Sequence, residues 1–166
     1  VLGEFLKSRP DWTAEVVGTG SSGLASLTRG WSRNMRERFT LTEAIPRQQL
    51  VELYQSSRIV LCCSRFESFH IASAEALCCG CSIVVADHPL LASTAWFTTM
   101  DSGTLATDRT VSSLTAALIE ESENWKNSLR DADLISETWC GLLHAKQVAT
   151  GILEKTASPG RKTPAY

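Results

Sequence analysis

The sequence has no surplus of basic charge: 16 Lys and Arg stand against 18 Asp and Glu, a formal net charge of -2 over 166 residues. Holding nucleic acid through a general positive field needs such a surplus, so that class of function is set aside. A long apolar run is also missing. The longest aliphatic and cysteine stretch, from Ile59 to Cys63, covers five residues, against the roughly 20 a membrane-spanning helix requires. The chain opens on Val1 with no basic-then-apolar leader, and no Asn-x-Ser/Thr acceptor occurs. These absences predict a piece of a longer, cytoplasmic protein.

What remains is ordinary globular composition, 43% hydrophobic and 20% charged, in a length that suits one domain. Cysteine is the unusual ingredient: Cys62, Cys63, Cys78, Cys79 and Cys81 crowd together, and Cys140 stands apart. Neighbours such as Cys62 and Cys63 point to opposite faces of a strand, a poor start for a tetrahedral metal site. The expectation is reduced, buried thiols serving as small hydrophobes.

Hydrophobic periodicity predicts alternating helices and strands. Leu2, Phe5 and Leu6 make a helical stripe that Pro10 ends, and residues 13–17 form a strand running into Gly18-Thr19-Gly20. A Ser-rich and Arg-rich solvated helix is expected over 24–38, interrupted by Gly30, then a strand at Phe39–Thr42. Pro46 opens a helix whose apolar face is Leu50, Val51, Leu53 and Tyr54. Residues 58–63 read as a strand buried on both faces, because their apolar run does not alternate. A helix over 69–79 stopped by Gly80 and a strand at Ser82–Ala86 follow. Further on, the pattern predicts a short helix over 89–94, a strand at Gly103–Ala106, a helix over 111–121 and a long closing helix over 135–153. Trp139, Leu142, Leu143 and Val148 are candidate contacts of that closing helix. This β-α-β-α order calls for parallel strands with crossover helices. Residues 158–166 are expected to form a disordered tail, which leaves a domain over 1–157.

The chemically informative stretch runs from Ser64 to Leu77, where a strand ends and a helix begins. Ligands of open α/β sheets bind at that carboxyl edge. A helix start there offers the backbone N–H groups of Phe69, His70 and Ile71 to an anion such as a phosphate. Glu67 lies just before the helix and Glu75 two turns inside it, which at helical rise separates them by roughly 12 Å at most. That is about the span from sugar to ribose in a nucleotide-diphospho sugar. Two solvated surface glutamates remain the plain alternative.

Glu67 and Glu75 form a Glu-x7-Glu motif, within Cys63-Ser64, Phe69-His70, Glu75-Ala76, Gly80-Cys81-Ser82 and Val84-Val85-Ala86. This text resembles the donor-binding half of retaining GT-B glycosyltransferases and is similar to glycosyltransferase family 4, the glycosyl transferases group 1. The resemblance implies a Rossmann-like three-layer α/β/α sandwich with a parallel sheet. It also implies an enzyme that moves a hexosyl group, with retention and without a metal or other cofactor, from a nucleotide-diphospho sugar to an acceptor. Glu67 would contact the transferred sugar, Glu75 the ribose, and Ser68, Phe69, His70 and Ile71 the diphosphate, while Thr42, Glu43 and Ala44 would cradle the base. Gly18 and Gly20 match a Gly-x-Gly turn with a backbone role. His70 stands where the family commonly has Gly, Ser82 where it has Pro, and Asp87-His88-Pro89 where it has Gly-Gly. An acceptor-binding N-terminal domain and an upstream basic phosphate-binding pair are implied outside this chain. A nucleotide-sugar epimerase of the same fold and a non-catalytic nucleotide-sugar module are the alternative functions.

Other candidates read as structural. Asp131-Ala132-Asp133 resembles a metal motif but lies in a charged segment suited to a helix start, and His88 and His144 are lone imidazoles. The five Trp, at positions 12, 31, 96, 125 and 139, show no stacking periodicity. Ser64 and Ser68 lack a Gly-x-Ser-x-Gly elbow, and Gly18-x-Gly20 lacks the third glycine of a dinucleotide fingerprint.

Overall fold

A computed structural model of the chain describes residues 1–18 and 27–150. Its order is α1 (Leu2–Ser8), β1 (Ala14–Val17), α2 (Arg33–Glu37), β2 (Phe39–Thr42), α3 (Arg47–Ser56), β3 (Ile59–Leu61), α4 (Ile71–Cys78) and β4 (Ser82–Ala86). A 3-10 turn (Pro89–Leu91), α5 (Ala92–Phe97), β5 (Gly103–Ala106), α6 (Val111–Lys126) and α7 (Ala132–Leu143) follow, and residues 145–150 are helical again. Gly20 and the predicted tail lie outside the described residues.

Every strand pairing is parallel. Hydrogen bonds divide the strands into a pair, β1-β2, and a triplet ordered β3-β4-β5. β4 is central to its sheet, and all five of its residues are buried. That double-sided burial is why Ser82–Ala86 reads as an unbroken apolar run. Each of its Ile and Val side chains stabilises the fold by about 1.5–3 kcal/mol. β3 departs from expectation: as the edge of its sheet it is only half-buried, although its sequence reads as a doubly covered strand.

Helices cover both faces. On one, Phe5 and Leu6 of α1 and Leu114, Ala117 and Leu118 of α6 pack with Val84, Val85 and Ala106, and Ala14, Phe39 and Ile59 from both sheets close on this cluster. On the other, Ala74 and Leu77 of α4, Phe97 of α5, and Ile135 and Trp139 of α7 pack on Ile83. The result is the expected three-layer α/β/α arrangement. Gly103 makes the β4-β5 pairing possible, since a Cβ there would lie 2.2 Å from the Ile83 carbonyl oxygen.

Several helices differ from expectation. Within 27–38 Leu27 is helical, Gly30 breaks the run with φ +83°, and Ser32 starts the separate turn and a half of α2 by accepting the Met35 N–H. Arg38, after α2, is no solvated residue: its guanidinium donates to the carbonyls of Leu6, Arg9 and Trp12 at 2.7–3.0 Å. It thereby satisfies the C-terminal end of α1. α6 runs on to Lys126, past the expected end at 121. The closing helix breaks at His144, whose extended backbone ends α7 and whose Nδ1 accepts the Lys146 N–H. Leu142 and Val148 are exposed, whereas Trp139 is buried and Leu143 packs against its cluster.

Candidate functional site

The site lies at the carboxyl ends of β3, β4 and β5, where three loops are tied together. Cys62 carries the chain out of β3, its N–H bonded to the Val84 carbonyl. In the segment that follows, the Glu67 N–H donates to the Leu90 carbonyl at 3.0 Å, joining this loop to the 3-10 turn after β4. Arg109, in the loop after β5, donates to the Arg65 carbonyl at 3.0 Å. His88 starts the 3-10 turn by accepting the Leu90 N–H on Nδ1. The Asp87-His88-Pro89 segment thus forms a capped turn that holds the backbone of Glu67.

α4 begins two residues later than predicted. Ile71 is its first residue and His70 its N-cap, with φ 51° and ψ 73°. This left-handed conformation costs an L-residue about 1–2 kcal/mol and accounts for the glycine that the resemblance places there. The donors at the helix start shift accordingly. Ser73 N–H is engaged by His70, while among the described residues the N–H groups of Ile71 and Ala72 take no protein partner. Phe69 lies before the helix, and its half-exposed ring packs edge-on against Phe97. Ser68 and Ile71 are exposed. Because only Ile71 onward is helical, the 12 Å separation of Glu67 and Glu75 is not an upper bound. Ser68 and Phe69 form a bend and His70 is left-handed, so helical rise does not set that distance.

Both glutamates retain unused acceptor capacity. Glu67 is 25% exposed, and among the described residues the one basic side chain near its carboxylate is His70, with Nε2 at 3.8 Å. Glu75 is 35% exposed and meets Arg47 Nη2 at 3.4 Å. On α4, Ser73, Ala74, Ala76 and Leu77 are buried, which anchors the helix and leaves Glu75 less covered than its neighbours. Arg47, on the first turn of α3, connects the segment after β2 to α4. Tyr54, also on α3, lies close enough that burial, then the Glu75 charge, holds its phenol above the ordinary value. Sequence gave no sign of Arg47 or Arg109, since their partners lie 28 and 44 residues away.

Thr42 ends β2, where its hydroxyl donates to Glu15 Oε1 at 2.8 Å and its carbonyl accepts the Gly18 N–H. Gly18 has φ +92°, the conformation its turn role requires. Glu43 and Ala44 follow as exposed residues. Two surface depressions lie elsewhere, one of 340 Å³ beside Arg9, Trp12 and Glu123, the other of 630 Å³ beside Glu4, Val111 and Ile119. Neither touches Glu67 or Glu75.

The remaining departures have structural explanations. Ser82 is buried, accepts the Trp125 indole N–H at 2.9 Å and donates to the Arg58 carbonyl. Asp131 caps α7 by accepting the N–H groups of Asp133 and Leu134. All six thiols are free: Cys62 and Cys81 are buried as expected, but Cys63 and Cys140 are exposed. Burial pushes Cys81 up to about 12, which keeps it protonated and inert.

Chemically, the arrangement offers two carboxylates able to accept hydrogen bonds from hydroxyl groups, and a helix start able to receive an anion. The chain is similar in fold to sucrose-phosphate synthase from Thermosynechococcus elongatus, with a TM-score of 0.70 at 18% identity over 93% of this chain. It spans 41% of that structure's length. A sequence search of curated proteins gave no match. The sequence pattern of the glycosyl transferases group 1 matches residues 2–133, with β3, α4 and both glutamates inside it. The chain belongs to the group 1 glycosyltransferases.

Proposed function

We propose that this chain is the donor-binding half of a retaining glycosyltransferase, which transfers a hexosyl group from a nucleotide-diphospho sugar without an obligatory metal. One observation carries the reading. Two glutamates with unused acceptor capacity flank a helix start with unpartnered N–H groups, at the carboxyl edge of a parallel sheet in a glycosyltransferase family. Glu67 accepts hydroxyl hydrogen bonds from the transferred sugar, and Glu75 accepts those of the ribose. The N–H groups of Ile71 and Ala72, with the preceding Ser68-Phe69-His70 loop, receive the diphosphate. As the sugar departs, negative charge grows on that diphosphate, and fixed dipoles stabilise it without reorganising. The segment Thr42 to Ala44 receives the base. The acceptor is held by a second domain of the full-length enzyme, which works in the cytoplasm. The open edge around Glu67 and Glu75 suits closure by such a partner domain.

Transfer by the full-length enzyme carrying Glu67→Ala or Glu75→Ala tests this. Turnover falls on the order of a hundredfold or more for Glu67→Ala, and Glu75→Ala chiefly weakens donor binding. Unchanged transfer by both variants would reject the site.

A further inference from the structure

His70 occupies a strained backbone position, φ 51°, that glycine would take without cost, so its side chain needs a reason to be there. Ser73 N–H is shared between the His70 carbonyl, at 3.1 Å, and Nδ1, at 3.2 Å, and Ser73 Oγ lies 2.6 Å from Nδ1. An N–H can only donate, so this contact selects the tautomer in which Nδ1 accepts and the proton of the neutral ring sits on Nε2. Nε2 faces Glu67 Oε1 at 3.8 Å, with the imidazole 14% exposed and the carboxylate 25% exposed. The main chain of Glu67 is already held through the Leu90 carbonyl. Among the described residues, the imidazole is the only basic side chain within 4.0 Å of its carboxylate, which accepts no protein hydrogen bond.

We propose that His70 is a positioning residue for Glu67. Ser73 holds the ring, and Nε2–H donates to Oε1, the 3.8 Å separation closing to hydrogen-bond length when a donor sugar engages the carboxylate. The sugar's hydroxyls then meet an acid whose orientation is set by α4. This rests on the reading of Glu67 as the sugar-contacting acid. A cap alone does not require an imidazole, because Asn accepts the N–H at the third helical position equally well and tolerates the left-handed backbone.

The test uses the full-length enzyme with His70→Asn, His70→Gly and Glu67→Gln. His70→Asn keeps the cap and removes the Nε2 donor, and His70→Gly removes both while relieving the backbone. We expect both His70 variants to fold and to lose about ten- to a hundredfold in kcat, with donor KM changed by less than about threefold. His70→Asn adds little to the loss already caused by Glu67→Gln. In ¹⁵N-histidine spectra, His70 shows a bare Nδ1 and a protonated Nε2, and Glu67→Gln shifts the Nε2 resonance. Full kcat in His70→Asn beside a crippled Glu67→Gln overturns the positioning role and leaves the site standing. A protonated Nδ1 overturns it as well. Full activity in Glu67→Gln overturns the functional reading and this proposal with it.

Discussion

Glu121, in α6, and Glu67 and Glu75, around the start of α4, are the same side chain in opposite circumstances. Glu121 is fully buried. Its carboxylate accepts from Thr104 Oγ1 at 2.6 Å, from Arg130 Nε at 2.6 Å and Nη2 at 2.7 Å, and from Asn124 Nδ2 at 3.3 Å. Burial alone would push its pKa up, but hydrogen bonding by Arg130 and Thr104, with the Arg130 charge, holds it below the usual carboxylate range. Arg130 also donates to the carbonyls of Met100 and Gly103. Both carboxylate oxygens there face donors supplied by the fold. Among the described residues, Glu67 faces one imidazole at 3.8 Å and Glu75 one exposed guanidinium at 3.4 Å. A buried acid without internal partners would not stay charged. An acid left half-satisfied at a sheet's carboxyl edge is available to something that binds there.

Removing Arg130 should break the satisfied end most severely. Arg130→Ala strands Glu121 as a buried, unpaired charge, and we expect a loss of about 3–5 kcal/mol in chemical denaturation. Replacing both partners, Arg130→Met with Glu121→Leu, should recover most of that loss. Glu75→Gln should do the converse, weakening donor affinity by about 1.5–3 kcal/mol in calorimetric titration of the full-length enzyme. Its stability should move by less than about 0.5 kcal/mol.

Acid sharpens the same contrast. The folded-state pKa of Glu121 is depressed, so its stabilisation is complete above its unfolded value, about 4.3, and is lost as pH falls through the lower folded value. Stability curves between pH 6 and 2 should therefore be steeper on the acid limb for the parent than for Glu121→Gln. The smallest effect belongs to Arg47→Ala. Its guanidinium is 85% exposed, so thermal unfolding should register less than about 1 kcal/mol.

The parts that sequence made legible are those where one physical cause dominates. β2, β4 and β5 end where their apolar patterns end, and the helix-start roles of Asp131 and Pro46 follow from a capping carboxylate and a ring-fixed φ. Glu67 and Glu75 stand out through their motif, and in the fold they lie on either side of a helix start whose register differs from the expected one. That helix begins at Ile71 rather than 69 because His70 turns left-handed; a glycine in the corresponding family position was the available sign. β3 could not be recognised as a half-buried edge, because burial depends on which strands pair, and an apolar run is silent on that. Arg38, Arg109 and Arg130 look alike in sequence, yet each is bound to carbonyls far along the chain. Long-range satisfaction of main-chain oxygens leaves no periodic trace.

Hydrogen exchange on the full-length enzyme, with and without saturating UDP-, GDP- or ADP-sugar, compares the two regions in one experiment. Added protection should fall on residues 67–75, strongest at the Ile71 and Ala72 amides, with one of the three donors, while the amides around Glu121 and Arg130 stay unchanged. Donor turned over by the enzyme with no added protection across 67–75 would contradict the assignment of this helix start as the donor cradle.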